Sequence, residues 1–280
     1  MTTSPGPAPN PLDGQGSSTA STTSPGGGAH GTASPPPLPQ YSLAAVLTVW
    51  AAAVVPMALL AWVVTPMVAG DDASKGRFAT VLITALTCGL VWQGILVLGL
   101  VAREQSSLRW SVLRDALWLR APSDDRGRRG GGLWWWVAVF ALGFLLVQFL
   151  PTGLSEPSDR SLGAFLESTE GQDYVSGAWG WLALVAVMMT FNSVLGEELL
   201  FRGLLLPRMR GAFGRHDWWV NGLLTGLYHV HQPWSMPGAA VAGGLFAYPS
   251  KRFRSAWMGI AIHSIQNVVL IVLILALVVR

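Results

Sequence analysis

Ionisable and amide side chains recur in the last hundred residues of this chain, inside stretches that are otherwise apolar. Three runs carry them: Thr190-Phe-Asn-Ser-Val-Leu-Gly-Glu-Glu-Leu-Leu-Phe-Arg-Gly, Leu224-Thr-Gly-Leu-Tyr-His-Val-His-Gln-Pro and Ile260-Ala-Ile-His-Ser-Ile-Gln-Asn-Val-Val. An ionisable group at the centre of a lipid-embedded helix costs about 2.5–3.5 kcal/mol on insertion scales, so each is a functional candidate by default. A carboxylate or neutral imidazole in an apolar cavity can act as a base, and amide and ring N–H groups fixed there can stabilise developing negative charge. No serine or cysteine nucleophile is positioned among these residues, so water is favoured as the attacker.

Helical spacing sorts the roles. Glu198 and Arg202 stand at i and i+4, share a face and can pair as a structural clasp. Glu197 points about 100° away from Glu198 and has no partner on its own helix. His263 and Asn267, again i and i+4, present two hydrogen-bonding groups to one cavity. At about 1.5 Å per residue, Glu197 lies roughly 15 Å below a boundary near Pro207, His229 roughly 18 Å beyond Asp217, and His263 roughly 13 Å beyond Arg254. Three helices of alternating direction therefore bring Glu197, His229, His263 and Asn267 to one depth. His231 sits about 200° around from His229 and stays outside the set.

The elements that must position them are membrane helices. The 280 residues are 51% hydrophobic and only 12% charged, against about a quarter charged in soluble domains. Tyr41–Gly70, Phe78–Ala102, Leu133–Leu150, Trp179–Phe201 and Trp257–Val279 meet or approach the roughly 20 apolar residues of a span. Trp218–His231 and Gly238–Tyr248 are shorter, more polar and glycine-bearing, which suits spans packed inside the bundle. The expected fold is an all-α, polytopic bundle of about seven spans. An eighth, poorly apolar span would flip one end.

Loop charges orient the bundle. Residues 103–129 hold seven Arg against four acids, 202–217 hold four Arg, and 251–254 hold three bases, whereas 151–177 hold five acids against Arg160. Basic loops face the cytoplasm, which puts the N-terminus inside, in a plasma membrane. The same distribution, short Arg blocks between apolar runs, speaks against nucleic acid. Leu108–Arg120 mixes Trp and Arg as an interfacial segment does. Residues 1–40 contain one charged residue, Asp13, among Pro, Gly, Ser, Thr and Ala, and read as a disordered tail without a signal-peptide pattern. Residues 41–131 hold the first two spans and the basic loop, and 132–280 the part with the motifs. The single cysteine, Cys88, excludes an intrachain disulfide.

Glu197-Glu198-x-x-x-Arg202, then His229, then His263-x-x-x-Asn267, over about residues 180–270, resembles the CPBP family, which includes the type II CAAX prenyl endopeptidases and bacteriocin-processing or self-immunity proteins. The resemblance implies an intramembrane endopeptidase in which Glu197 and His229 activate water while His263 and Asn267 stabilise the oxyanion. One position departs: the family has Phe four residues before the middle histidine, and this chain has Thr225. The expected partners are a peptide or protein substrate and the bilayer, with no cofactor. Two alternatives stay open. Glu197, His229 and His263 also make a Glu/His/His zinc set with one free position. Alternatively the residues relay protons in a transporter or serve a non-enzymatic scaffold, although no internal repeat of the transporter kind is present.

Overall fold

The computed structural model describes residues 38–149, 154–158 and 160–280, together with 1, 2, 4 and 6. The chain divides into Met1–Pro35 and Pro36–Arg280, and the fold concerns the second unit. The expected tail falls almost wholly outside the described residues. Among those residues there is no strand, only an isolated bridge between Ser123 and Arg129.

The helices, in order, are α1 (Leu43–Ala69), α2 (Lys75–Gln105), α3 (Trp110–Ala116), α4 (Gly131–Val147), α5 (Leu162–Glu167), α6 (Thr169–Val175), α7 (Trp179–Arg208), α8 (Asp217–Tyr228), α9 (Met236–Arg252) and α10 (Ala256–Val278). Polar residues punctuate the apolar runs. Ser42 Oγ accepts from Ala45 N at 3.2 Å to start α1, Ser74 Oγ does the same for Arg77 N at 3.2 Å in α2, and Gly70 ends α1 with φ +86°.

α1, α2, α7 and α10 are long and apolar enough to cross a membrane. The three other apolar helices of the expected seven are present but shorter. α8 has 12 residues and extends about 18 Å at 1.5 Å per residue, well short of a hydrocarbon core of about 30 Å. α8 and α9 run antiparallel, Gly222 against Gly244 and Gly226 against Ala240, which leaves the side on which α10 begins unchanged. Glycine lets the hairpin close: a Cβ at Gly222 would stand 2.5 Å from Gly244 N, so the two helices meet backbone to backbone.

α10 contributes to all four apolar clusters. Ala256 and Ile260 join α1, α2, α7 and α8; Ile274 and Val278 join the outer halves of α2 and α7; Ile262 packs with α4 and α9; and Met258 packs with Leu133 and Phe253. Its opposite face exposes Val268, Val269, Val272 and Leu273, each more than half exposed, as lipid rather than water allows. The protein is an integral membrane protein.

The two ends of the bundle differ in charge. At one, Arg208 is wholly buried, donates to Glu104 at 2.6 Å and to the Ala116 and Leu204 carbonyls at 3.0 Å, while Tyr41 N donates to the Arg208 carbonyl. Asp125 bridges Arg252 and Arg254 at 2.9 and 3.2 Å, and Lys251 pairs with Asp217. All three basic loops thus gather at this end. At the other, Gly177 N donates to the Val278 carbonyl, and Tyr174 lies against Gly76 and Thr80.

Candidate active site

α7 is unevenly wound. Phe191–Leu195 and Leu199–Leu205 are π-helical, and Gly196, Glu197 and Glu198 lie between them. Such turns are frequent at functional sites. Gly196 is required here, because a Cβ would sit 2.8 Å from both the Leu90 and Phe191 carbonyl oxygens. The carboxylates that follow are buried, Glu197 at 2% exposure and Glu198 at 0%.

Glu198 Oε1 lies 3.2 Å from Arg202 Nη1 and 3.1 Å from His263 Nδ1. Arg202, also wholly buried, donates from Nη2 to the Gly243 carbonyl at 2.9 Å. One carboxylate therefore ties α7 to α10, and its guanidinium partner ties α7 to α9. The approach of α10 depends on Gly259, where a Cβ would stand 2.6 Å from Glu198 Oε2.

Glu197, His229, His263 and Asn267 line one cavity of about 410 Å³. A second cavity of about 290 Å³ is also lined by Glu197, His229 and His263, so these three form a wall common to both. His229 follows the last residue of α8, and its Nδ1 lies 2.8 Å from the Thr225 carbonyl. A carbonyl only accepts, so Nδ1 carries the hydrogen and the neutral ring presents the lone pair of Nε2. Thr225 serves this contact with its backbone, so the departure from Phe leaves the tautomer of His229 untouched. The Thr225 side chain instead borders the second cavity.

His263 is held on every side. Besides Nδ1 on Glu198, its Nε2 lies 3.3 Å from Asn192 Nδ2, and the ring stacks on Phe246 with centroids 5.0 Å apart. Asn267 Nδ2 donates to the Met189 carbonyl at 3.2 Å, which spends one amide hydrogen on joining α10 to α7. The amide has a second hydrogen.

The arrangement also bears on a metal. Glu197, Glu198 and His263 each bring a ligand atom within 4.8 Å of the others, a spacing that one divalent cation can bridge. His229, the third donor of the zinc set considered from the sequence, is not in that group. A cation there would compete with Arg202 for Glu198 and with Glu198 for His263.

Sequence reasoning missed Asn192, Tyr228 and His231. Asn192 precedes Glu197 by five residues, about 140° away on a regular helix, and a π-turn brings i and i+5 towards one side. Tyr228, 1% exposed, borders the first cavity and accepts from Gln93 Nε2 at 2.6 Å. His231 borders the same cavity and stacks on His229 with centroids 5.3 Å apart. A buried Gln in α2 opposite a Tyr beside the middle histidine was the one signal available for Tyr228.

Residues 179–269 match the family model described as Rce1-like, type II CAAX prenyl endopeptidase. This segment is Rce1-like. It begins at the first residue of α7, contains α8 and α9, and ends two residues after Asn267, so every residue of the proposed site lies within it. Neither the curated proteins nor the solved structures gave a match to the chain. The Rce1-like assignment brings with it a protease family and an intramembrane setting, in keeping with the apolar helices around the cavity.

Proposed function

We propose that the protein is an intramembrane peptidase that hydrolyses a peptide bond with water activated by Glu197 and His229. The observation that carries this reading is the shared cavity, where two candidate bases and two candidate oxyanion donors border one buried space. A proton passes from water to the base pair, and the hydroxide oxygen bonds to the scissile carbonyl carbon. The carbonyl electrons move to oxygen, where Asn267, through its second amide hydrogen, and His263, in the doubly protonated form that donates from Nε2 while Nδ1 donates to Glu198, receive the negative charge. Collapse of the tetrahedral adduct breaks the C–N bond, and the leaving amine takes up the proton. One water is consumed, and a carboxylic acid and an amine are released. Low local dielectric makes fixed donors far more effective than they are in water.

The bilayer in this reading is the plasma membrane, with the N-terminal end in the cytoplasm, supported by the charge difference between the two ends. The substrate is a peptide or protein segment within reach of the membrane. The test is cleavage by the protein in proteoliposomes compared with Glu197→Gln, an isosteric change that removes only the base. Turnover should fall by at least 100-fold with folded yield unchanged, and retained cleavage would refute the general-base role. A zinc-dependent version is favoured by the spacing of Glu197, Glu198 and His263. It requires loss of activity on chelation and one zinc per chain. Equal activity before and after chelation refutes it.

A further inference from the structure

We propose that Gln232 and Gln266 hold the main chain of the substrate beside the reacting bond, so that the site takes a segment in extended form and reads its backbone as well as its side chains. The inference deepens the peptidase reading and rests on it for the word substrate. The capacity to hold an extended peptide stands on the two carboxamides and their place between the cavities.

A peptide bond within a helix has its carbonyl engaged by the turn that follows, so a segment must be extended before a base and oxyanion donors can reach it. Extension releases N–H and C=O groups, and lipid offers them no partner. Each group left unmet weakens binding. A sheet would supply a free strand edge for such a segment. Here the walls are helices whose backbone groups are spent on one another, and among the described residues there is no strand. Side chains must therefore serve, and a carboxamide is well matched to a peptide group, because its oxygen accepts and its nitrogen donates.

Five of the described residues border both cavities. Three are Glu197, His229 and His263, and the other two are Gln232 and Gln266. A peptide that occupies both cavities must cross at these five. Both glutamines are half-buried, yet neither side chain makes a hydrogen bond to any described residue. Other polar side chains of the walls are committed: Asn192 Nδ2 lies against His263, Asn267 donates to the Met189 carbonyl, and Thr225 Oγ1 donates to the Asn221 carbonyl at 2.9 Å. The backbone of Gln232 is fixed, since its N–H donates to the His229 carbonyl at 2.8 Å and its own carbonyl accepts from Ser235 N at 2.9 Å and Ser235 Oγ at 2.8 Å. Gln266 is fixed by α10, three residues after His263 and one before Asn267. Each carboxamide is thus carried on a rigid backbone within three residues of a reacting group, with its donors and acceptor to spare. One lies on the turn after α8 and the other on α10, so the two can engage separate peptide groups of one extended strand.

Binding tests this without turnover. Glu197→Gln protein in nanodiscs is titrated with a fluorescent decapeptide pool randomised over Ala, Leu, Val and Ser. A matched pool carries lactate in place of every alanine, which exchanges those main-chain N–H groups for ester oxygens. Gln266→Met and Gln232→Met, each added to Glu197→Gln, keep the side-chain length and remove the carboxamide. Each should weaken binding of the amide pool about tenfold, the worth of one neutral hydrogen bond, and weaken binding of the ester pool much less. Melting should match that of the Glu197→Gln parent, since neither carboxamide holds another part of the protein. No binding of the amide pool, unaltered binding in both variants, or equal weakening for the two pools overturns the proposal, and the last result would assign the glutamines to packing. Cleavage of the amide pool by the wild-type chain is followed in parallel. Amide-selective binding without cleavage would refute the peptidase reading and leave the peptide-holding role standing. Cleavage with no effect of either glutamine on binding would refute the peptide-holding role alone.

Discussion

Asn267 carries two duties that a substitution can separate. Its Nδ2 donates to the Met189 carbonyl, and it borders the cavity with Glu197. Truncation to Ala frees a buried carbonyl, which costs about 1–3 kcal/mol of stability. If Asn267 is also an oxyanion donor, turnover falls by about 100- to 1000-fold while substrate binding changes little, because that bond matters mainly in the transition state. Single-turnover rates and thermal melts on one detergent preparation distinguish the two. A stability loss with unchanged turnover leaves Asn267 as a tie between helices. Asn192 should behave differently: it touches only the Nε2 edge of His263 among the site residues. Asn192→Ala is therefore expected to lower turnover through a less well-held imidazole with a smaller stability change, measured on the same preparation.

Three helices converge on the Glu198–Arg202 pair, and their joint stability should depend on it. Arg202→Ala strands a carboxylate that has no exposure and removes the bond to Gly243, a loss of about 3–5 kcal/mol for a broken buried pair. Thermal melts should show the loss, and Glu198→Gln added to Arg202→Ala should recover part of it. No recovery would mean that the guanidinium matters for its bond to α9 and not for charge. The α8–α9 hairpin offers a sharper case. Gly222→Ala would push a methyl to 2.5 Å from Gly244 N and 2.8 Å from Gly244 Cα, backbone atoms that cannot yield without parting the helices. Its folded yield should drop severely, since the same hairpin carries His229. Size-exclusion profiles of detergent-extracted protein check this outcome.

The basic end holds the bundle together as well as orienting it. Arg208 links Glu104 of α2, the Ala116 carbonyl of α3, the Leu204 carbonyl of its own helix and, through its carbonyl, Tyr41 before α1. Arg208→Met keeps the apolar stem but takes the guanidinium from the Ala116 and Leu204 carbonyls and from Glu104, which keeps the Tyr41 hydroxyl as a donor, and the expected cost is again about 3–5 kcal/mol. Because Arg208 borders neither cavity, turnover per folded molecule should stay within a factor of two of wild type. A large loss of turnover in protein with wild-type melting would show that the Arg208 cluster communicates with the site.

Composition and periodicity were enough to define an all-α membrane bundle, because lipid forces backbone groups into helices and leaves long apolar runs as their record. Charge asymmetry, being a property of loops in order along the chain, separated the two ends equally well. The spacing Glu198 to Arg202 foretold their pairing, since i and i+4 neighbours meet within a turn whether the winding is regular or π-helical. Where the argument needed a neighbouring helix, the sequence was silent. That Glu198 also holds His263 depends on Gly259 admitting α10, and that Asn192 reaches His263 depends on a π-turn no periodicity of 3.6 reveals. The zinc set looked open from residue types alone, but the distances gather Glu197, Glu198 and His263 and leave His229 on its own helix carbonyl. Likewise the lengths of α8 and α9 were readable, but not their backbone-to-backbone approach at Gly222 and Gly244. Which side chains meet around Glu198 and share the cavity with Glu197 is a matter of packing between distant segments, and only the tertiary structure decided it.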